Sequence, residues 1–351
     1  MLEKIFGHFS KDVGIDLGTA NTLVYVRDAG IVINEPTVVS INTRTDQLVA
    51  VGCAARDMIG KTPSYITTTR PLIKGIISDF EVTEKMLRHF IEKIHADTMA
   101  WYPRPRVVIG VPLDLTEVER KAVEDAVLSA GARAVYLVEE PMAGAIGARL
   151  PIKEAVGTML IDIGGGVTEI AVLSLSGAVN WRVIPIAGSE LNRSIIQYAR
   201  DMFNLLLGER TAEEMKIRIG SAIELATPLE GPMRGRDLLT GLPKEIMVTD
   251  SQIREAISRS VKQIIESVKL TLETTPPELV ADIYERGIVM MGGGALLRGL
   301  DKLIAKATEI PVRVADDPLT CVVRGTGVIL EDDLLLHEIA LPSPSTAGIM
   351  R

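Results

Sequence analysis

The stretch Val13-Gly14-Ile15-Asp16-Leu17-Gly18-Thr19-Ala20-Asn21-Thr22-Leu23-Val24-Tyr25-Val26 joins two apolar runs through a short polar turn. Residues 13–16 and 23–26 predict two strands, and residues 17–22 a tight hairpin turn between them. The arrangement returns near mid-chain. Residues 159–162 predict a strand ending in Asp162, Gly164-Gly165-Gly166 a turn, and residues 169–175 a return strand. A Gly/Thr turn aims backbone N–H groups in one direction, a nest that draws phosphate oxygens. Glycine lets the backbone approach a ligand closely. An aspartate beside it can hold hydrated Mg²⁺, which prefers oxygen ligands and keeps several waters. Either turn alone also reads as an ordinary β-turn. Their repetition predicts two similar α/β lobes, whose hairpins grip one triphosphate from both sides. Asp16 and Asp162 then approach one cation, and Thr19 and Asn21 add polar contacts to the phosphates.

Outward from these turns, the pattern alternates strands and helices. Short strands are predicted at 31–33 and 37–41. A helix is predicted over 81–94, with Val82, Met86, Leu87, Phe90 and Ile94 on one side. A buried strand follows at 107–111. The next helix, 116–131, is capped by Thr116 with Glu119 completing a capping box. Residues 135–138 predict a strand, followed by Glu139-Glu140-Pro141 and a small-residue helix over 142–148. In the second half, helices are predicted at 191–204, 212–222, 251–272 and 300–308, with turn-rich strand sequence up to 249. A strand at 288–291 ends in Gly292-Gly293-Gly294.

A chain of 351 residues suggests two domains or one bilobal unit. With 47% apolar and 24% charged residues, it reads as folded rather than disordered. The net charge of −8 argues against a general nucleic-acid-binding surface. Cys53 and Cys321 lie far apart in no metal-ligand spacing, and read as reduced thiols of a cytosolic protein. The four histidines are scattered and form no metal cluster. No stretch approaches the ~20 apolar residues that span a bilayer, and no signal peptide is recognised. The chain is expected in the cytoplasm, with any membrane contact peripheral.

Five segments now carry a resemblance. Asp16-Leu17-Gly18-Thr19-Ala20-Asn21-Thr22 and Asp162-Ile163-Gly164-Gly165-Gly166-Val167-Thr168-Glu169 resemble the two phosphate motifs of bacterial actins. Gly292-Gly293-Gly294-Ala295-Leu296-Leu297-Arg298-Gly299-Leu300 resembles their adenosine motif. Glu140-Pro141-Met142-Ala143 and Arg324-Gly325-Thr326-Gly327 resemble the two connecting segments. They stand in the family's order and spacing over almost the whole chain. Asn34-Glu35-Pro36, Asp79-Phe80, Thr211-Ala212-Glu213 and Pro276-Pro277-Glu278-Leu279 are similar to the MreB family in particular.

The resemblance implies an α/β, actin-like ATPase fold, with two lobes built on mixed sheets flanked by helices and a nucleotide cleft between them. The first lobe is expected over 1–145 with 315–340, including a small subdomain at about 32–68. The second is expected over 146–314, with a small subdomain at about 184–246. Residues 341–351 read as a frayed tail. It further implies that Gly18, Thr19, Ala20, Asn21, Gly164, Gly165 and Gly166 meet the phosphates of ATP or ADP. Asp16 and Asp162 hold Mg²⁺ through water, and Gly292, Gly293, Gly294 and Ala295 pass under the nucleotide. Glu213 and Lys216 share a helix face at i, i+3 and contact the ribose and adenine edge; they also read as an exposed helix ion pair. Glu140, rather than its neighbour Glu139, orients the attacking water, with Thr168 as a second catalytic group. Glu140 also reads as a strand-end surface charge.

Two positions depart from the family pattern. Val167 stands where a second threonine is usual, which implies slow hydrolysis. Ser189 follows Gly188 where an aspartate is usual. Leu2, Ile5, Phe6 and Phe9 fall on one helical face and read as an interfacial anchor, or as a terminal segment packed on its own domain. Met99, Trp101 and Tyr102 add an aromatic cluster suited to a membrane interface. By resemblance the chain assembles with itself into paired antiparallel protofilaments at the inner face of the cell membrane. Its other partners are then rod-shape and wall-synthesis membrane proteins. A sugar-kinase-type phosphotransferase and a non-polymerising nucleotide switch share the fold. No substrate-pocket segment announces the first.

Overall fold

The computed structural model describes residues 10–96 and 104–342. The chain divides into two compact units. One takes the described residues through Glu154, then Leu175–Gly177 and the described residues from Thr320 on; the other takes Ala155–Ser174 and Ala178–Leu319.

The first unit runs β1 (Val13–Leu17), β2 (Asn21–Val26), β3 (Gly30–Pro36), β4 (Val39–Asn42), β5 (Gln47–Val51), α1 (Cys53–Met58), β6 (Ile66–Thr69), β7 (Leu72–Ile73), β8 (Ile76–Ile77), α2 (Phe80–His95), β9 (Arg106–Val111), α3 (Glu117–Ser129), β10 (Ala134–Glu139) and α4 (Glu140–Gly147). Its main sheet has the order β3-β2-β1-β9-β10. β1 pairs antiparallel with β2 and parallel with β9, and β10 pairs parallel with β9. Val107–Val111 of β9 is buried on both faces, as a central parallel strand requires. α2 starts on Asp79, whose side chain accepts from Val82 N, and packs Val82, Met86, Leu87 and Phe90 into the core beside β1 and β9. α3 carries the capping box: Thr116 accepts from Glu119 N, and Glu119 accepts from Thr116 N.

The second unit runs β11 (Thr158–Ile163), β12 (Thr168–Ser174), β13 (Gly177–Ile184), α5 (Gly188–Phe203), β14 (Leu205–Leu206), α6 (Glu209–Ile219), β15 (Glu230–Asp237), β16 (Pro243–Thr249), α7 (Asp250–Glu273), α8 (Pro277–Arg286), β17 (Ile288–Met291), a 3-10 turn (Gly293–Leu296), α9 (Leu300–Thr308) and β18 (Val312–Val314). Its main sheet has the order β13-β12-β11-β17-β18. β11 pairs antiparallel with β12 and parallel with β17, which pairs parallel with β18. The two main sheets therefore repeat one plan, with β1 matching β11 and β9 matching β17. The internal repeat around Asp16 and Asp162 is a repeat of whole sheets.

The chain then returns to the first unit as α10 (Cys321–Glu331) and α11 (Asp333–Ile339). α10 crosses α4 so closely that a Cβ on Gly325 would strike the Ala143 carbonyl, and one on Gly147 the Cys321 carbonyl. Leu341 N donates to Leu137 O at 2.9 Å. Cys53 is exposed and Cys321 buried, both free. Among the described residues no helix is long and apolar enough to cross a membrane.

Several elements differ from expectation. The helix expected to begin at Met142 begins at Glu140, with Pro141 in its first turn, where a missing N–H costs nothing. The helix expected over 212–222 spans Glu209–Ile219 and stops at Gly220. β5, α1, β6, β7, β8, β13, β14, α8, β18, α10 and α11 are additions. Leu2, Ile5, Phe6, Phe9, Met99, Trp101 and Tyr102 lie outside the described residues, as does 343–351 of the expected tail.

Candidate functional site

In the first unit, Asp16 is the last but one residue of β1, opposite Leu23 of β2 and Gly110 of β9. The turn after it is tied down from several sides. Thr37 donates its hydroxyl to Gly18 O at 2.7 Å, Thr37 N donates to Ala20 O, and Thr22 and Thr37 share a hydroxyl hydrogen bond of 2.9 Å. Thr19 Oγ1 accepts from Gly75 N at 2.8 Å, which leaves its own proton able to donate. Gly75 belongs to a two-residue hairpin turn in which Lys74 and Gly75 both have positive φ, so the β7–β8 tip is shaped to reach the turn after β1. Gly18 must be glycine, since a Cβ would lie 2.8 Å from Asn21 O. Asn21 opens β2 and is half-buried.

Glu140 opens α4, and its Cγ lies 3.2 Å from where a Gly110 Cβ would stand. Gly110, facing Asp16 across the sheet, thus makes room for the Glu140 stem. Asp16, Gly110 and Glu140 gather at one end of β1 and β9. Glu139 ends β10; burial raises its pKa, and the nearby Arg120 offsets this in part.

In the second unit, Asp162 holds the equivalent place in β11. It is buried, and its cross-strand partner is Glu169 of β12. A carboxylate oxygen of each lies within 4.8 Å of the other's. Burial pushes the Asp162 pKa up to about 7. Two buried carboxylates this close fit a divalent cation, whose charge offsets their desolvation.

The turn closes by Gly164 N donating to Val167 O. Gly188 N and Ser189 N, at the start of α5, donate to Gly164 O at 3.1 Å and Gly165 O at 2.8 Å. Thr168 is fully buried and donates its hydroxyl to Ile186 O at 2.6 Å. Lys216 of α6 donates to Gly188 O at 3.0 Å; burial lowers its pKa, while Glu213 and Glu209 pull it back up. Gly292 has φ 79° and lies against Asp162 and Ile163, and Gly294 lies against Ile163, so neither place holds a side chain. Asp162, Gly164–Gly166, Lys216 and Gly292–Gly294 thus converge at the end of β11, with Ala295 buried in the 3-10 turn. Glu213 sits one helical turn before Lys216.

Sequence reasoning missed Thr37, Gly75 and Ile186. The Lys74-Gly75 pair between Leu72-Ile73 and Ile76-Ile77 was a readable hairpin signal. Nothing local marks Thr37 or Ile186, whose partners are distant in sequence.

Two sheets of one plan, each with an aspartate one residue before the end of its central strand and a glycine turn after it, define an actin-like α/β protein. A family model described as "MreB/Mbl protein" matches residues 10–337, and the chain belongs to that family. It is 50% identical over 337 residues to the cell shape-determining protein MreB of Escherichia coli (strain K12), covering 94% of this chain and 96% of that protein. It is 46% identical over 324 residues to the cell shape-determining protein Mbl of Bacillus subtilis (strain 168), covering 92% and 97%. Among solved structures, MreB5 of Spiroplasma citri bound to ADP superposes with a TM-score of 0.88 at 36% identity, over 94% of this chain and 98% of that one. The MamK double helical filament shares the fold, with a TM-score of 0.78 at 22% identity, over 92% and 99%.

Proposed function

We propose that this chain is a cell-shape cytoskeletal protein that binds ATP and ADP with Mg²⁺, hydrolyses ATP slowly and assembles into filaments at the inner face of the cell membrane. The observation that carries this reading is the duplicated Asp-ended strand and glycine turn, Asp16 to Asn21 and Asp162 to Thr168. The solved Spiroplasma relative is described with ADP and with AMPPNP, and MamK as a filament, which supports both nucleotide binding and self-association.

In this reading Gly18, Thr19, Ala20 and Asn21 take one side of the phosphate chain, and Gly164, Gly165 and Gly166 the other. Asp16 and Asp162 hold the cation through water. Bound Mg²⁺ neutralises phosphate charge, and the rest of catalysis is positioning. Glu140 orients the attacking water from the first turn of α4. Thr168, whose proton is held by Ile186 O, supports the turn while its oxygen can still accept. Glu213 lines the nucleoside side with Gly292 to Ala295.

Filaments are paired and antiparallel, and reach the membrane through Leu2, Ile5, Phe6 and Phe9 with Met99, Trp101 and Tyr102. A filament displays many weak anchors, so avidity makes the contact strong. Rod-shape and wall-synthesis membrane proteins are the expected partners. Sedimentation tests the reading: pelleting that requires ATP and Mg²⁺ supports it, whereas a monomer under all conditions points to a kinase or a non-polymerising switch. Deleting residues 1–9 is expected to weaken pelleting with liposomes; unchanged binding would refute the anchor.

A further inference from the structure

Two carbonyls of the second turn have fixed partners: Gly164 O accepts from Gly188 N, and Gly165 O from Ser189 N. A trans peptide unit is planar, so its N–H points opposite its C=O. Carbonyls aimed at residues 188–189 therefore leave the N–H groups of Gly165 and Gly166 aimed away from them, free of the α5 start. Residues 186–189 act as a strap that sets this aim. The strap is held at both ends, by the Thr168 hydroxyl on Ile186 O at 2.6 Å and by Lys216 Nζ on Gly188 O at 3.0 Å.

We propose that Lys216 is a positioning residue that grips the Gly188 carbonyl, holds the strap, and so aims the Gly165 and Gly166 N–H groups at the nucleotide phosphates. The inference rests on the nucleotide reading above and changes the role expected for Lys216, which was a direct contact to ribose and adenine. The half-buried Lys216 ammonium makes a charge-assisted bond of 3.0 Å to the Gly188 carbonyl, and such a bond is stronger than a neutral one. Lys216 shares a face of α6 with Glu213. One helix therefore links the nucleoside side to the aim of the phosphate turn.

Lys216→Met keeps the side-chain length and removes the donor. It also relieves the burial that lowers the lysine's pKa, so the fold is expected to hold. Lys216→Gln, with a shorter donor, serves as the second variant should the first melt early. Hydrogen–deuterium exchange of the 186–191 peptide is followed in nucleotide-free protein, and calorimetry gives Kd for adenosine, Mg-ADP and Mg-ATP. The expected result is exchange about tenfold faster. Adenosine affinity stays within about twofold, while Mg-ADP and Mg-ATP weaken about tenfold or more. Equal weakening of all three ligands, or no weakening, overturns the proposal. So does loss of Mg-ADP affinity with exchange unchanged, which would mean that Lys216 touches phosphate directly. If the wild type binds none of the three, the nucleotide reading fails, and the exchange result alone decides whether Lys216 holds the strap.

Discussion

Burial at the end of β11 holds the Asp162 carboxyl with a pKa of about 7 against an ordinary value of 3.8. Between those values the folded protein keeps a proton that the unfolded chain has lost. Nucleotide-free stability should therefore rise as pH falls from 8 toward 5, and Asp162→Asn should flatten that slope. The variant is expected to gain about 2–4 kcal/mol at pH 8, read by denaturant titration at both pH values. Mg²⁺ favours the ionised form, so Mg-dependent ATP affinity should weaken as pH drops below about 7. A wild-type slope unchanged by Asp162→Asn would contradict this. Glu140→Gln should cut turnover at least about tenfold while leaving ATP affinity intact, and Val167→Thr should raise it. Single-turnover assays beside calorimetry separate the two quantities. At this scale the sequence singles out Asp16, Asp162 and the glycines of the turns, and the structure sets the two aspartates at equivalent places in β1 and β11. It hides Thr37, Gly75 and Ile186, because their hydrogen bonds join positions with no shared local pattern.

The α4–α10 crossing is the element that places Glu140. Gly325→Ala pushes a methyl group onto the Ala143 carbonyl in a packed core. The expected cost is at least about 2 kcal/mol, with a clearly lower Tm. Gly208→Ala, where nothing lies within 4 Å of the new Cβ, should be close to neutral. Equal melting of the two variants would show that the crossing is looser than described. Legibility differs element by element. α2 and α3 were readable from an apolar stripe and a capping box. α8 was hidden by Pro276-Pro277, which reads as a breaker, although Pro277 sits at the first helical position. β13 was hidden because Val179 and Trp181, which alternate along it, are exposed apolar residues. α10 was hidden by Gly325 and Gly327, which weaken a helical pattern but are small for close approach to Ala143 and Tyr25.

For the whole molecule, the repeat of a hairpin foretold the repeat of a sheet. Each strand that carries the aspartate pairs antiparallel with the strand after its turn, and parallel with a strand much later in the chain. The hairpin half of that plan is local and therefore legible. The parallel half needs strands from distant sequence and emerges only in three dimensions. The central claim is that both turns serve one nucleotide. Calorimetry of Mg-ATP binding to the wild type, Asp16→Ala and Asp162→Ala tests it most directly. The account predicts one ATP per chain, with each variant weakening it about tenfold or more. Two independent sites, or full affinity in either variant, would contradict it.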